Sequence, residues 1–167
     1  MKIVVLKFGG TSVGTIEKIK KVTDIIIEHK KKKNKVIVVS SAMSGVTNDL
    51  IKKSKQISNN FIDSEYDVLV SSGEQVACSL IAGRLNHKGF KSRSWLGWQI
   101  PIFTNGPYTN SRIQQVNKNK LLRFLKEGGI PIITGFQGIN MNERVTTIGR
   151  GGSDASAIMI AKSFKAQ

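Results

Sequence analysis

Two continuous apolar runs on either side of a helical pattern constrain the fold of this chain more than any other feature. The runs cover residues 3–6 and 36–39, and both are rich in β-branched side chains. Such runs are typical of strands buried on both faces, as in a parallel sheet. Between them, apolar residues from Ile16 to Ile26 repeat at helical spacing. The segment therefore predicts a β-α-β unit with a right-handed crossover.

The rest of the chain continues to alternate between helical and strand patterns. A helix is expected after the 40–45 loop, capped by Thr47 or Asn48. Further helices are predicted over residues 74–86, 118–127 and about 153–161, and strands over 92–96, 130–134 and 144–148. Residues 101–110 and 135–138 are predicted to be turns and loops. The 74–86 helix is expected to turn four apolar residues inward: Val76, Leu80, Ile81 and Leu85. The pattern predicts an α/β fold with a mostly parallel sheet flanked by helices.

Length and composition limit the class of protein. With 167 residues, 40% of them hydrophobic, the chain is long enough for one domain with its own core. Its single cysteine, Cys78, is expected to be a buried thiol, and one cysteine allows no internal disulfide. No apolar stretch approaches the roughly 20 residues of a membrane helix. We therefore expect a soluble, cytoplasmic protein that makes no contact with a membrane.

The chain is strongly basic, with 26 Lys and Arg against 11 Asp and Glu, a net charge of +15. A basic surface can bind nucleic acid, but most of the lysines are scattered along the chain. The dense run at 30–33 is placed at a helix end, where cations favour the helix dipole. Because no aromatic residues interleave with the cations, nucleic-acid binding is not favoured. A positive field would attract anionic substrates.

Four loops follow the ends of predicted strands: 7–14, 40–48, 135–138 and 149–154. In open α/β sheets, ligands bind beyond the carboxyl ends of the strands. In the first loop, Lys7 precedes Gly9 and Gly10. Glycines let backbone N–H groups approach phosphate oxygens, and a lysine adds a point charge. A purely structural Gly-Gly turn is the alternative.

The last loop has a denser pattern, in which Arg150 and Gly151-Gly152 precede Ser153 and Asp154. An arginine can bind a carboxylate through two hydrogen bonds, and Asp154 could position a lysine. A plain helix cap formed by Ser153 or Asp154 is the alternative interpretation.

Glu74 follows Ser72-Gly73 at the predicted start of a helix. It could hold an ammonium group, or simply favour the helix dipole. A phosphate loop, an arginine for a carboxylate and a glutamate for an amine together suit an amino acid and a nucleotide. No metal-ligand cluster is predicted.

Six motifs, in order along the chain, resemble those of the aspartate kinases within the amino-acid kinase family. They are Lys-Phe-Gly-Gly-Thr-Ser-Val at 7–13, the segment 38–48, Ser-Ser-Gly-Glu at 71–74, Gly-Trp-Gln at 97–99, Gly-Phe-Gln-Gly at 135–138 and Gly-Arg-Gly-Gly-Ser-Asp at 149–154. The resemblance runs from residue 2 to the end of the chain. It implies transfer of the ATP γ-phosphoryl group to the side-chain carboxylate of L-aspartate, which gives 4-phospho-L-aspartate. That product leads toward lysine, threonine, methionine and diaminopimelate.

The resemblance also implies a role for each matched residue. Phosphate binding falls to Lys7, Phe8, Gly9 and Gly10. The aspartate pocket falls to Ser41, Ala42, Thr47, Glu74, Arg150, Gly151, Gly152 and Ser153. Lys7 and Asp154 are the implied catalytic pair, with Asp154 orienting lysines around the phosphoryl group. Mg²⁺ is expected to arrive with ATP.

Aspartate kinases continue beyond the part that this chain matches. We therefore expect residues 1–167 to be a partial amino-acid kinase domain, the aspartate-binding lobe, without the nucleotide-binding lobe and the ACT regulatory domains. The chain could act as a kinase, alone, as a homo-oligomer or with a separate C-terminal half. Alternatively, it is an inactive remnant or an aspartate-binding subunit that needs a separate nucleotide-binding half.

Overall fold

A computed structural model describes residues 2–166 of the chain, which form an α/β fold with two sheets. The helices are α1 (Ile16–Lys31), α2 (Val46–Ile57), α3 (Asp63–His87), α4 (Asn119–Lys126) and α5 (Gly152–Phe164). The strands are β1 (Ile3–Phe8), β2 (Lys35–Ser40), β3 (Ser92–Trp95), β4 (Ile102–Asn105), β5 (Arg112–Val116), β6 (Ile130–Thr134), β7 (Gln137–Ile139) and β8 (Val145–Thr147).

The first sheet has four parallel strands in the order β1-β2-β6-β3. The predicted β-α-β unit is confirmed, because α1 connects the adjacent parallel strands β1 and β2. Phe8 pairs with Ser40, and Ser40 pairs with Thr134. The carboxyl ends of the three strands therefore lie side by side, and the loops that follow them leave the sheet at one edge.

The second sheet, in the order β5-β4-β7-β8, combines two antiparallel pairs with a parallel β4–β7 pair. The predicted strand over 144–148 is present as β8, which forms a hairpin with β7 and places Ile139 opposite Val145. The prediction of turns over 101–110 and of a loop over 135–138 was wrong in part, because β4 and β7 occupy those segments, and β5 was missed. These strands are short and contain polar or glycine residues, so they carry little apolar alternation for a sequence pattern to detect.

Helix α3 begins at Asp63, well before the predicted start at Glu74. Ser71, Ser72 and Gly73 are poor helix formers and resemble a loop in sequence. In the structure the Ser71 and Ser72 hydroxyls donate to Val68 O at 3.0 Å and Leu69 O at 2.7 Å, so both serines are accommodated within the helix. Glu74 thus lies in the middle of a long helix.

The inward face of α3 also differs from the prediction. Ile81 and Leu85 are fully buried, as expected, but Val76 and Leu80 are 51% and 38% exposed. The helix is rotated so that Glu74 and Cys78 lie on its buried side. Apolar spacing cannot predict that a polar residue lies on the buried face of a helix.

The core lies in two clusters on opposite faces of the parallel sheet. Val36 and Val38 of β2 belong to the cluster that contains residues of α1 and α3. Ile37 and Val39 belong to the cluster that contains residues of α4 and α5. Because both faces of β2 are covered, its sequence is apolar without alternation. Among residues 2–166, no helix has the length and apolarity required to cross a membrane.

Candidate functional site

The loops that follow β1, β2 and β6 at the carboxyl edge of the parallel sheet meet the loop that follows β8 of the second sheet around a cavity of about 320 Å³. The cavity is lined by most of the site residues predicted from the sequence: Lys7, Gly10, Ser41, Ala42, Thr47, Glu74, Arg150, Gly151, Gly152, Ser153 and Asp154. The two exceptions are Phe8 and Gly9. The Phe8 ring packs against the core cluster of α1 and α3. Gly9 lies beneath the Lys7 side chain, since a Cβ there would be 3.4 Å from Lys7 Nζ.

Lys7 and Asp154 form an ion pair at the cavity, with Lys7 Nζ 2.7 Å from Asp154 Oδ1. Lys7 lies near the end of β1, and Asp154 lies in the first turn of α5. An aspartate is favoured there because the positive end of the helix dipole faces it. The lysine side chain is 29% exposed, so its charge is partly shielded from solvent and directed toward the cavity.

Glu74 is buried at the cavity wall, and its two carboxyl oxygens have different surroundings. Oε1 accepts a hydrogen bond from Ala42 N at 3.1 Å, whereas Oε2 is buried and has no hydrogen-bond partner in the described part of the chain. Burial raises the pKa of Glu74 to about 7, against the opposing effect of the Ala42 N–H. A buried acceptor without a donor is costly, so this oxygen is suited to a donor supplied by a ligand.

The 41–45 loop approaches α3 closely because Gly73 has no side chain. A Cβ at Gly73 would lie 2.9 Å from Ala42 Cβ and 3.2 Å from Val46 Cγ1. The loop ends at Gly45, with φ +85°, which precedes α2 and takes the N-cap position predicted for Thr47 or Asn48. Gly73 thus keeps Ala42 N within hydrogen-bond distance of Glu74.

The 149–154 loop turns through Gly151, which has φ +76° and takes the N-cap position of α5. No side chain caps this helix, so the alternative in which Ser153 or Asp154 acts as a plain helix cap is wrong. Ser153 is instead buried against Gly135, where a Cβ would be 2.7 Å from Ser153 Oγ. Arg150 is exposed at the cavity and forms no ion pair with any residue between 2 and 166.

Phe136 is a cavity residue that the sequence reasoning did not single out. Its φ is +67°, a conformation that bulky residues rarely adopt. Its N–H donates to Ser156 Oγ at 3.2 Å, and its ring covers Gly152, where a Cβ would be 2.8 Å from Phe136 Cδ2. Its position within the Gly-Phe-Gln-Gly motif was the sequence feature that could have identified it.

Five more residues of the motif loops line the cavity: Met43, Ser44, Gly45, Asn48 and Gly149.

The charged groups at the cavity are two cations and two carboxyl groups, and Lys7 and Asp154 already pair with each other. Arg150 and Glu74 are left to contact a ligand. Over residues 2–166, no three His, Cys, Asp or Glu side chains are grouped closely enough to hold a metal ion. The arrangement can bind a molecule that carries both an anionic group and an ammonium group.

Comparison with known proteins gives consistent matches over almost the whole chain. The model of the amino acid kinase family matches residues 2–167. The aspartokinase of Geobacillus stearothermophilus is 46% identical over 167 residues, which are 100% of this chain and 41% of that protein. The aspartate kinase of Pseudomonas putida is 42% identical over 166 residues, which are 99% of this chain and 40% of that protein.

Solved structures give the same result. Aspartokinase III of E. coli, in complex with aspartate and ADP, superposes with a TM-score of 0.86 at 25% identity, over 99% of this chain and 47% of that one. Aspartate kinase from Synechocystis gives 0.83 at 38% identity, over 99% of this chain and 27% of that one. The chain thus spans less than half the length of each of these proteins.

Proposed function

Since the chain belongs to the amino acid kinase family, we propose that it provides the aspartate-binding part of an aspartate kinase. The reaction is transfer of the ATP γ-phosphoryl group to the side-chain carboxylate of L-aspartate. The observation that carries the proposal is the cavity itself, in which Arg150 and Glu74 face a ligand beside the Lys7–Asp154 pair. Aspartate has two carboxylates and one ammonium group, which complement these charges.

Recognition of aspartate uses the two groups that have no partner within the described chain. Arg150 binds a carboxylate through charge-assisted hydrogen bonds, and Glu74 Oε2 accepts from the ammonium group. Ser41, Ala42, Thr47 and Ser153, with the glycines Gly151 and Gly152, form the walls around the ligand.

Phosphoryl transfer uses the other side of the cavity. The aspartate carboxylate is ionised at neutral pH, so its oxygen attacks the γ-phosphorus without a general base. The bond from the γ-phosphorus to the bridging oxygen breaks, and ADP leaves with that electron pair. Lys7 neutralises charge that develops on the phosphoryl oxygens, and Gly10 admits them close to the backbone. Gly9 lies next to the Lys7 ammonium group and leaves room for it. Asp154 holds the Lys7 ammonium in place. Mg²⁺ enters as part of the nucleotide substrate.

We propose that the adenine and ribose contacts come from a segment that corresponds to the part of the relatives that this chain does not match. This chain spans about two-fifths of the Geobacillus aspartokinase, and all of the aspartate contacts proposed above lie within it. The kinase therefore needs a nucleotide-binding half, joined or separate. We place its product at the entry to lysine, threonine, methionine and diaminopimelate synthesis in the cytoplasm, where a buried free Cys78 would stay reduced.

The same observation leaves a second candidate, an aspartate-binding protein that does not catalyse transfer. Calorimetry with L-aspartate, with D-aspartate as the control, tests binding first. Trapping of the aspartyl phosphate with hydroxylamine, in the presence of ATP and Mg²⁺, then tests transfer. The assay is run with this chain alone and with a polypeptide that carries the remaining part of an aspartokinase. Absence of aspartate binding overturns the proposal, whereas binding without product in either assay favours the second candidate.

A further inference from the structure

Asp67 is a fully buried carboxyl group outside the cavity, in the first half of α3. Thr147 donates to it twice, from N to Oδ2 at 2.8 Å and from Oγ1 to Oδ1 at 2.6 Å. Thr109 N lies 3.1 Å from Oδ1 and 3.0 Å from Oδ2. Among residues 2–166, no cation pairs with this carboxyl group. Asp67 therefore binds protein N–H and O–H donors from two separate segments, the end of β8 and the connection between β4 and β5.

One of these donors is held in a strained conformation. Thr109 has φ +66°, in the left-handed region that β-branched residues avoid. Backbone strain of this kind persists only where surrounding contacts impose it, and it concentrates near functional sites. The hydrogen bonds from Thr109 N to both Asp67 oxygens hold Thr109 in this conformation.

The two segments held by Asp67 also contact each other and lead into the cavity. Ser111 N donates to Thr147 O at 2.9 Å, and Asn110 packs against Gly149. Gly149 and Arg150, two and three residues after Thr147 along the chain, line the cavity. The position at which β8 delivers Arg150 is thus determined by Thr147 and by the strained 109–111 segment.

Asp67 and Glu74 are seven residues apart on the same helix. Seven residues make about two turns and place both side chains on one face, about 10 Å apart along the axis. One rigid helix therefore supplies Glu74 to the cavity and also anchors the segment that carries Arg150. We infer that Asp67 is a positioning residue that sets the spacing between Glu74 and Arg150, and thereby favours a ligand whose ammonium and carboxylate groups match that spacing. This inference rests on the proposed function.

The test compares variants by calorimetric affinity for two ligands. L-aspartate requires both Glu74 and Arg150, whereas succinate has the carboxylates but no ammonium group. We expect Asp67→Ala to weaken L-aspartate binding at least about tenfold, because small displacements of binding groups are costly, and to weaken succinate binding much less. Thr147→Val removes one of the Asp67 hydrogen bonds and should produce a smaller loss in the same direction.

Thr23→Val is the matched control, because Thr23 is also fully buried and hydrogen-bonded, but lies on α1 away from the cavity. If Asp67→Ala does not fold, the L-aspartate affinity of Thr147→Val is compared with that of Thr23→Val instead. Unchanged L-aspartate affinity in the Asp67 and Thr147 variants overturns the inference, as does an equal loss for both ligands. If succinate binds the unmodified chain too weakly to measure, a Thr147→Val loss no greater than that of Thr23→Val overturns it. If the unmodified chain does not bind L-aspartate, it is the proposed function that fails.

Discussion

The ammonium group of Lys7 lies 2.7 Å from Oδ1 of Asp154, although the two residues belong to opposite ends of the chain. The contact joins the end of β1 to the first turn of α5. Because the pair remains partly exposed, its contribution to the free energy of unfolding is expected to be below about 1 kcal/mol. The main effect of the pair is to orient the Lys7 side chain, because Asp154 holds the ammonium group at the cavity wall.

Replacement of Lys7 by alanine should separate binding from transfer. We expect L-aspartate affinity to stay within about threefold, because Lys7 faces the phosphoryl group in the proposed mechanism. Product trapped by hydroxylamine in the complemented assay should fall at least about 100-fold, since a charge that stabilises the transition state is lost. Lys52→Ala, at an exposed lysine of α2, is the control. Turnover above a tenth of the original rate would remove Lys7 from its assigned role.

Replacement of Arg150 by alanine should abolish measurable aspartate binding without loss of stability. Arg150 is exposed and forms no ion pair within the described chain, so folding does not depend on it. Arg150→Lys should bind with intermediate affinity, because a lysine keeps the charge but not the two-pronged geometry. Arg112→Ala, at an exposed arginine of β5, controls for the general loss of positive charge. Unchanged affinity of Arg150→Ala in calorimetry would exclude it from the pocket.

Aspartate binding should depend on pH through Glu74. Its pKa is raised to about 7, so the carboxylate form that accepts from an ammonium group becomes dominant only above that pH. Affinity should therefore rise about tenfold from pH 6 to pH 8 and then level off. Binding should also release protons near pH 7, which calorimetry detects in buffers of different ionisation enthalpy. A flat profile over this range, or one unchanged in Glu74→Gln, would contradict the assignment.

The stability of the ligand-free chain should respond to pH in the opposite sense. The folded state raises the pKa of Glu74 from 4.5 to about 7, so it binds this proton more tightly than the unfolded state does. The resulting stabilisation is present below pH 4.5 and is lost as the pH rises to about 7. The loss should be on the order of 3 kcal/mol. Urea unfolding at pH 5 and pH 8 measures it, and Glu74→Gln should remove this component.

Two glycines of α3 provide a matched pair. Gly73→Ala would place a Cβ 2.9 Å from Ala42 Cβ, which should cost about 1–3 kcal/mol and displace Ala42 N from Glu74. Aspartate affinity should fall with it. Gly83→Ala meets nothing within 4 Å and should stabilise the helix by about 0.5–1 kcal/mol. Thermal unfolding and calorimetry distinguish the two, and similar effects at both positions would contradict the close approach of the 41–45 loop.

Much of the fold was predictable because long apolar runs have few structural solutions. The β1-α1-β2 unit, β6 and α4 contain continuous or periodic apolar residues. Such spacing predicts a buried strand or a helix with one buried face, whatever the rest of the fold. The start of α3 was not predictable, since Ser71, Ser72 and Gly73 disfavour a helix in isolation. Packing of Gly73 against Ala42, and of Glu74 against Ala42 N, overrides that local preference.

Sequence alone determined which residues were candidates for the site, because Lys7, Glu74 and Arg150 stand in motif segments that bear functional groups. Only the tertiary structure placed them around one cavity, paired Lys7 with Asp154 and left Glu74 Oε2 buried without a donor. Asp67 lies outside the motifs, and its hydrogen bonds reach residues far away in the chain. Contacts of that kind depend on how helices and strands pack, and residue type and spacing do not encode them locally.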